Sequence, residues 1–229
     1  MAPLPDILSR PVVFWGRESG HRWSADRIRL KLTTGPADFA AEAERQAEIA
    51  FGPEAQCRGG DEEVLVDQQM RAQFVDDYQR MEERTESYLW GLGIAGIYHQ
   101  FERDIREVIQ AFLKPKLTTP KADFTKLCGY LEGIGYEIKQ SVWFDELNTA
   151  RLIANAIKHG EGTGFDALAK KRPDLFPEYQ KYALDMKRSM QPNVEDIRIG
   201  FVEFDRAVSA ISMIWPEMEG AISPVAERT

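Results

Sequence analysis

The chain is poor in the residues that build metal centres and cross-links. Two cysteines, Cys57 and Cys128, occur among 229 residues, with no CxxC pair. That leaves no disulfide framework and implies free thiols in a reducing compartment. Three histidines are present, His21, His99 and His159, too few for a dedicated transition-metal site. The longest apolar stretches, around Trp90–Tyr98 and Ala207–Trp215, fall far short of the ~20 residues of a membrane span. The start, Met-Ala-Pro-Leu-Pro-Asp, lacks the basic residues and apolar run of a secretion signal. A cytoplasmic protein without a membrane partner is expected.

Positive charge is also scarce. Lys and Arg number 29 against 37 Asp and Glu, for a net charge of −8. The basic field of a duplex-DNA binder is missing, so duplex DNA is not an expected partner. Any nucleic-acid contact must be a local patch. No Gly-x-Ser-x-Gly elbow and no GxxxxGK[ST] phosphate loop occurs, and the acids are too scattered to single out a catalytic pair. Gly91-Leu-Gly93-Ile-Ala-Gly96 matches the dinucleotide pattern GxGxxG. Its lead-in, Arg84–Trp90, continues a charged helical segment where that pattern requires a strand. The glycines read instead as a helix kink or a close packing point. No cofactor is expected.

What the chain does have is helical periodicity. Met70, Phe74, Tyr78 and Met81 form one stripe. Ile94, Ile97, Phe101, Ile105, Val108 and Phe112 form a second, after a break at Gly91–Gly93. Phe124, Leu127, Leu131, Ile134 and Ile138 form a third. Each repeats every three or four residues, as one face of a helix does. The last, Ile197, Phe201, Phe204, Val208, Ile211 and Trp215, has the spacing of a bundle edge or a dimer face. Thr119-Pro120 and Asn193 fit helix starts, Thr163 fits the cap of a short helix, and Gly160 fits a helix end. Residues 61–90 carry nine acids and three arginines, the mark of a solvated face. Residues 1–35 are less regular. Pro11–Trp15 and Arg27–Leu32 read as short strands or as extended arms. The expected fold class is all-α: an antiparallel helical bundle over residues 61–229, preceded by an irregular extension over 1–60 with one helix.

The segment Leu147–Gly160 carries the most chemistry. Its apolar face is Leu147, Ala150, Ile153, Ala154 and Ile157, and its polar face aligns Arg151, Asn155 and His159, each one turn after the last. Two readings stand. In one, Lys158 and His159 simply favour the negative end of the helix dipole. In the other, His159 moves protons near neutral pH, Arg151 stabilises charge on a phosphate and Asn155 orients an oxygen. The basic run Lys170-Lys171-Arg172 follows closely. From Lys158 to Arg188, Lys and Arg outnumber acids seven to five, so a modest RNA-facing patch is one reading and a solvated face the other. His99 and Glu102 sit three apart in the reverse order of a carboxylate-bridged metal pair, and read as a helix-surface contact.

Asn155-Ala-Ile-Lys-His159-Gly-Glu-Gly162 resembles the motif of the HEPN superfamily, all-α domains of prokaryotic toxin–antitoxin and anti-phage systems. The order of elements is similar as well: a long helix with Phe101-Glu102-Arg103, a second helix, the motif helix, then Lys171-Arg-Pro-Asp-Leu-Phe176 and a final apolar helix. The resemblance spans roughly residues 62–216. It implies a homodimer, with RNA or a partner protein as ligand. It matches Asn155 and His159 to the motif's polar and histidine positions; with Arg151 of the same helix face these are the candidate catalytic residues, and Lys158, Lys170, Lys171, Arg172 and Glu102 are the candidate substrate contacts. Active members of the superfamily are metal-independent endoribonucleases. Here Ala154 occupies the position of the motif arginine, and Arg151 stands a turn earlier. The resemblance therefore implies a binding module without robust catalysis, with a ribonuclease and a purely structural assembly protein as the alternatives.

Overall fold

The computed structural model describes residues 10–33, 38–52, 61–113, 124–160, 162–177 and 194–226. Among them are seven α-helices and no strand: α1 (Arg10–Thr33), α2 (Phe39–Phe51), α3 (Asp61–Leu113), α4 (Phe124–Gly133), α5 (Phe144–His159), α6 (Thr163–Lys171) and α7 (Phe201–Ala226). Single 3-10 turns sit at Ile138–Gln140, Pro173–Leu175 and Val194–Asp196. The helix α3 has 53 residues, or about 80 Å at 1.5 Å per residue. Its N-terminal half carries α2. Its C-terminal half is the spine of the bundle, contacted by α1, α4, α5 and α7. The core joins Ile94, Ile97, Phe101 and Ile105 of α3 to Leu147, Ile153 and Ala154 of α5 and to Phe204, Ile211 and Trp215 of α7. No described helix is long and apolar enough to cross a membrane.

Four sequence expectations change. Residues 10–33 form a helix rather than strands or arms. Its buried or half-buried side is His21, Ala25, Ile28 and Leu32, spaced four, three and four. An imidazole and a methyl group occupy two of those positions, so the apolar period is hidden. Pro11 lies in the first turn, where its missing N–H costs nothing. Packing on α3 and α7, rather than an apolar pattern, supports this helix.

Second, α3 runs unbroken through Gly91–Gly93. A Cβ on Gly91 would stand 2.7 Å from Cδ1 of Ile157, and one on Gly93 would stand 3.0 Å from Cγ2 of Ile28. These glycines are close-packing points, one of the two roles expected of them. Third, α7 begins at Phe201, not near Asn193, which lies outside the described residues, as do Thr119 and Pro120. Ile197 and Ile199 are both buried on an extended strap. Ser87 Oγ donates to the Ile197 carbonyl (2.9 Å) and accepts from the Ile199 amide (2.7 Å). Fourth, most of the described seam residues of α3 and α7 pack inside the chain, where Phe101 and Trp215 meet edge to face at 5.5 Å. Phe201 of the α7 stripe stays 45% exposed.

Smaller points follow. The helix α4 ends at Gly133, so Ile134 and Ile138 are buried from a turn beyond it. Gly162, not Thr163, is the residue before α6. Gly160 ends α5 as expected, at φ 67, with its N–H on the Ala156 carbonyl.

Candidate functional site

The polar strip of α5 faces a cleft of about 430 Å³ between α5 and α6. Arg151, Asn155 and His159 line one side, and Thr163, Gly164 and Phe165 the other. Local sequence explains the geometry. Gly160 takes a left-handed φ that reverses the chain at once, so α6 folds back along α5. Gly164 then lets the two helices touch: a Cβ there would stand 3.1 Å from Cβ of Asn155. No side chain among the described residues caps the start of α6. The first α6 helical bond runs from the Asp166 amide to the Gly162 carbonyl, so the amides of Thr163, Gly164 and Phe165 precede the ladder. Such a turn attracts anions, although Asp166 also stands in it.

Arg151 is the electrostatic centre of the cleft. Its Nε donates to Asn148 Oδ1 at 3.0 Å, and its Cζ lies 5.6 Å from the centre of the Phe124 ring. It has no carboxylate partner among the described residues. The other predicted contacts differ. Lys171 is ion-paired with Asp145. Arg172 chelates Asp174, at 2.6 Å for the shortest bond, and reaches Glu203 at 3.2 Å. Its guanidinium is held above its ordinary pKa by the Asp174 hydrogen bond first, and the Asp174 carboxyl is held below its own by the same bond. Glu102 receives Arg106 at 3.2 Å and lies 3.6 Å from His99 Nδ1. The latter is the surface contact expected. Lys158 and Lys170 are exposed.

The three strip residues share the cleft but do not converge. Arg151 and His159 are eight residues apart, or about 12 Å along the axis. The Arg151 head is turned toward Asn148, as helical side chains lean toward the N-terminus. The two groups stand about two helical turns apart on the strip.

Two neighbours escaped the sequence reading. Phe124 was assigned to a core stripe, yet it is half-buried beneath Arg151 and stacks with Phe144 at 15°. Tyr98 is buried, and its hydroxyl has no hydrogen-bond partner among the described residues. Burial first, and then Glu102, push its pKa well above the ordinary phenol value. The Gly160-x-Gly162-x-Gly164 spacing was the available signal for the tight α5–α6 reversal.

A larger cleft, about 700 Å³, runs along α3 past Arg80, Met81, Arg84 and Tyr88. Its arginines are matched, Arg80 by Asp76 and Asp77 and Arg84 by Glu195 at 3.8 Å. No group of three or more His, Cys, Asp or Glu able to hold a metal occurs among the described residues. Comparison with protein-family models, curated proteins and solved structures found no match to this chain. The class defined by the fold alone is a helical bundle with a polar cleft.

Proposed function

We propose that the chain is a HEPN-like helical module of a prokaryotic defence or toxin–antitoxin type system that binds RNA in the α5–α6 cleft without robust catalysis. The superfamily reading rests on the Asn155–His159 spacing and the order of helices. The RNA reading rests on one observation: Arg151, a cation with no carboxylate partner among the described residues, lies in a cleft with His159 and the start of α6, which no described side chain caps. Weak catalysis follows from Ala154 and from the ~12 Å between Arg151 and His159. Displacements near 1 Å already cost about 100-fold in rate. One copy of the chain supplies the cleft, and the homodimer is an expectation of the resemblance and of the apolar stripes at Ile94–Phe112 and Ile197–Trp215.

The test is a titration of labelled single-stranded RNA of about 12 nucleotides, within the site sizes of single-strand binders, in EDTA. Fluorescence anisotropy reads binding and a gel reads integrity. Saturable binding that weakens with salt, intact RNA, and a several-fold loss in His159→Ala are expected. No binding by wild type would overturn the RNA reading in favour of a partner protein. EDTA-resistant cleavage lost in His159→Ala would establish the endoribonuclease. A lowered melting temperature with no other change would make the motif helix structural.

A further inference from the structure

Arg151 belongs to two surfaces at once. It lines the cleft, and its guanidinium lies over Phe124. Phe124 is backed by Phe144, 6.2 Å away and nearly parallel, and by Tyr98, 6.2 Å away and edge-on. The Asn148 bond at Nε anchors one edge of the guanidinium. Its two terminal nitrogens make no hydrogen bond among the described residues. A guanidinium in cation–π contact with an aromatic ring has a planar face that can stack as well as a charge.

Charge alone is a poor basis for affinity here. The whole chain is at −8, and Asp145, 82% exposed, stands six residues before Arg151 on the same helix. A duplex presents mainly phosphate and sugar and hides its base faces. A single strand offers faces that stack without needing further cations.

We infer that the cleft takes single-stranded RNA, one unpaired base stacking on the Arg151 guanidinium over Phe124 while the adjacent phosphate lies at the start of α6. This rests on the RNA-binding reading above and narrows it to a substrate class.

The experiment compares three probes of equal length: oligoadenylate, an abasic ribose-phosphate oligomer and duplex RNA. Wild type, Arg151→Lys and Phe124→Leu are titrated with each. Wild type is expected to prefer oligoadenylate over the abasic oligomer by about tenfold, the scale of one stacked base. Arg151→Lys keeps the charge and loses the plane, so that ratio falls toward one. Phe124→Leu does the same, with its helical content checked by circular dichroism. If that variant misfolds, Arg151→Lys decides alone, since its side chain is partly exposed. A 2-aminopurine in the strand is quenched on binding wild type and not on binding Arg151→Lys. Equal wild-type affinity for oligoadenylate and the abasic oligomer would overturn the inference and leave phosphate binding intact. Duplex bound as tightly as single strand would also overturn it. Failure to bind any probe would remove the RNA reading and this inference with it.

Discussion

Two basic regions lie within about 20 residues of each other in the sequence, and the fold treats them oppositely. Lys171 and Arg172 are consumed by structure. Lys171 meets Asp145, and Arg172 ties Asp174 to Glu203 across to α7. Arg151 meets an amide and an aromatic ring instead. A cation matched by carboxylates has little field left for a ligand. One resting on a ring keeps its charge available and loses some of its hydration. The denser basic run is thus the less suited to a phosphate, and the lone arginine the better placed.

The comparison can be broken from either side. The largest effect is expected from Arg172→Ala. Only 16% of that side chain is exposed, and its removal leaves the largely buried Glu203 without its ion pair. A loss of ~1–3 kcal/mol is expected, read as a lower urea midpoint, with RNA affinity within about twofold at ordinary salt. The clasp also has a pH signature. Asp174 is held below its ordinary pKa, so its contribution is present above about pH 4 and lost as pH falls through the depressed value. The stability gap between wild type and Asp174→Asn should close in acid. A gap that widened there would contradict the assignment.

Arg151→Ala comes next, with the opposite pattern. RNA affinity should fall about tenfold, the weight of one charge-assisted contact, while stability changes by under ~1 kcal/mol. Gly164→Ala sharpens the contrast. Its new Cβ would press on Asn155 across the cleft, so RNA affinity should drop a few-fold. Its stability should stay within ~1 kcal/mol, because alanine favours the helix. Calorimetry and anisotropy on the same sample separate the two. The smallest effect belongs to Asp145→Asn, which releases Lys171 and should tighten RNA binding by less than about threefold, as exposed pairs are weak.

Much of this was legible in the sequence, and the limits have physical causes. The strip of Arg151, Asn155 and His159 follows from a period of four. So does the end of α5, because glycine tolerates the reversal at Gly160. The helix α1 was missed because His21 and Ala25 occupy two of its buried positions, and no apolar period survives that. The start of α7 was misjudged because Ile197 keeps the helical spacing while lying on an extended strap held by Ser87. Lys171's partner Asp145 and Arg172's second partner Glu203 lie 26 and 31 residues away, beyond any local pattern. Phe124 looked like an ordinary core position, and only the fold brings Arg151 over it.

The most direct test of the central claim is to crosslink single-stranded RNA to the wild-type protein with ultraviolet light and map the modified peptides. The account predicts crosslinks within residues 148–167, on both walls of the α5–α6 cleft, and their loss in Arg151→Ala. Crosslinks confined to residues 170–174 or to Arg80–Arg84, with none on α5, would contradict it.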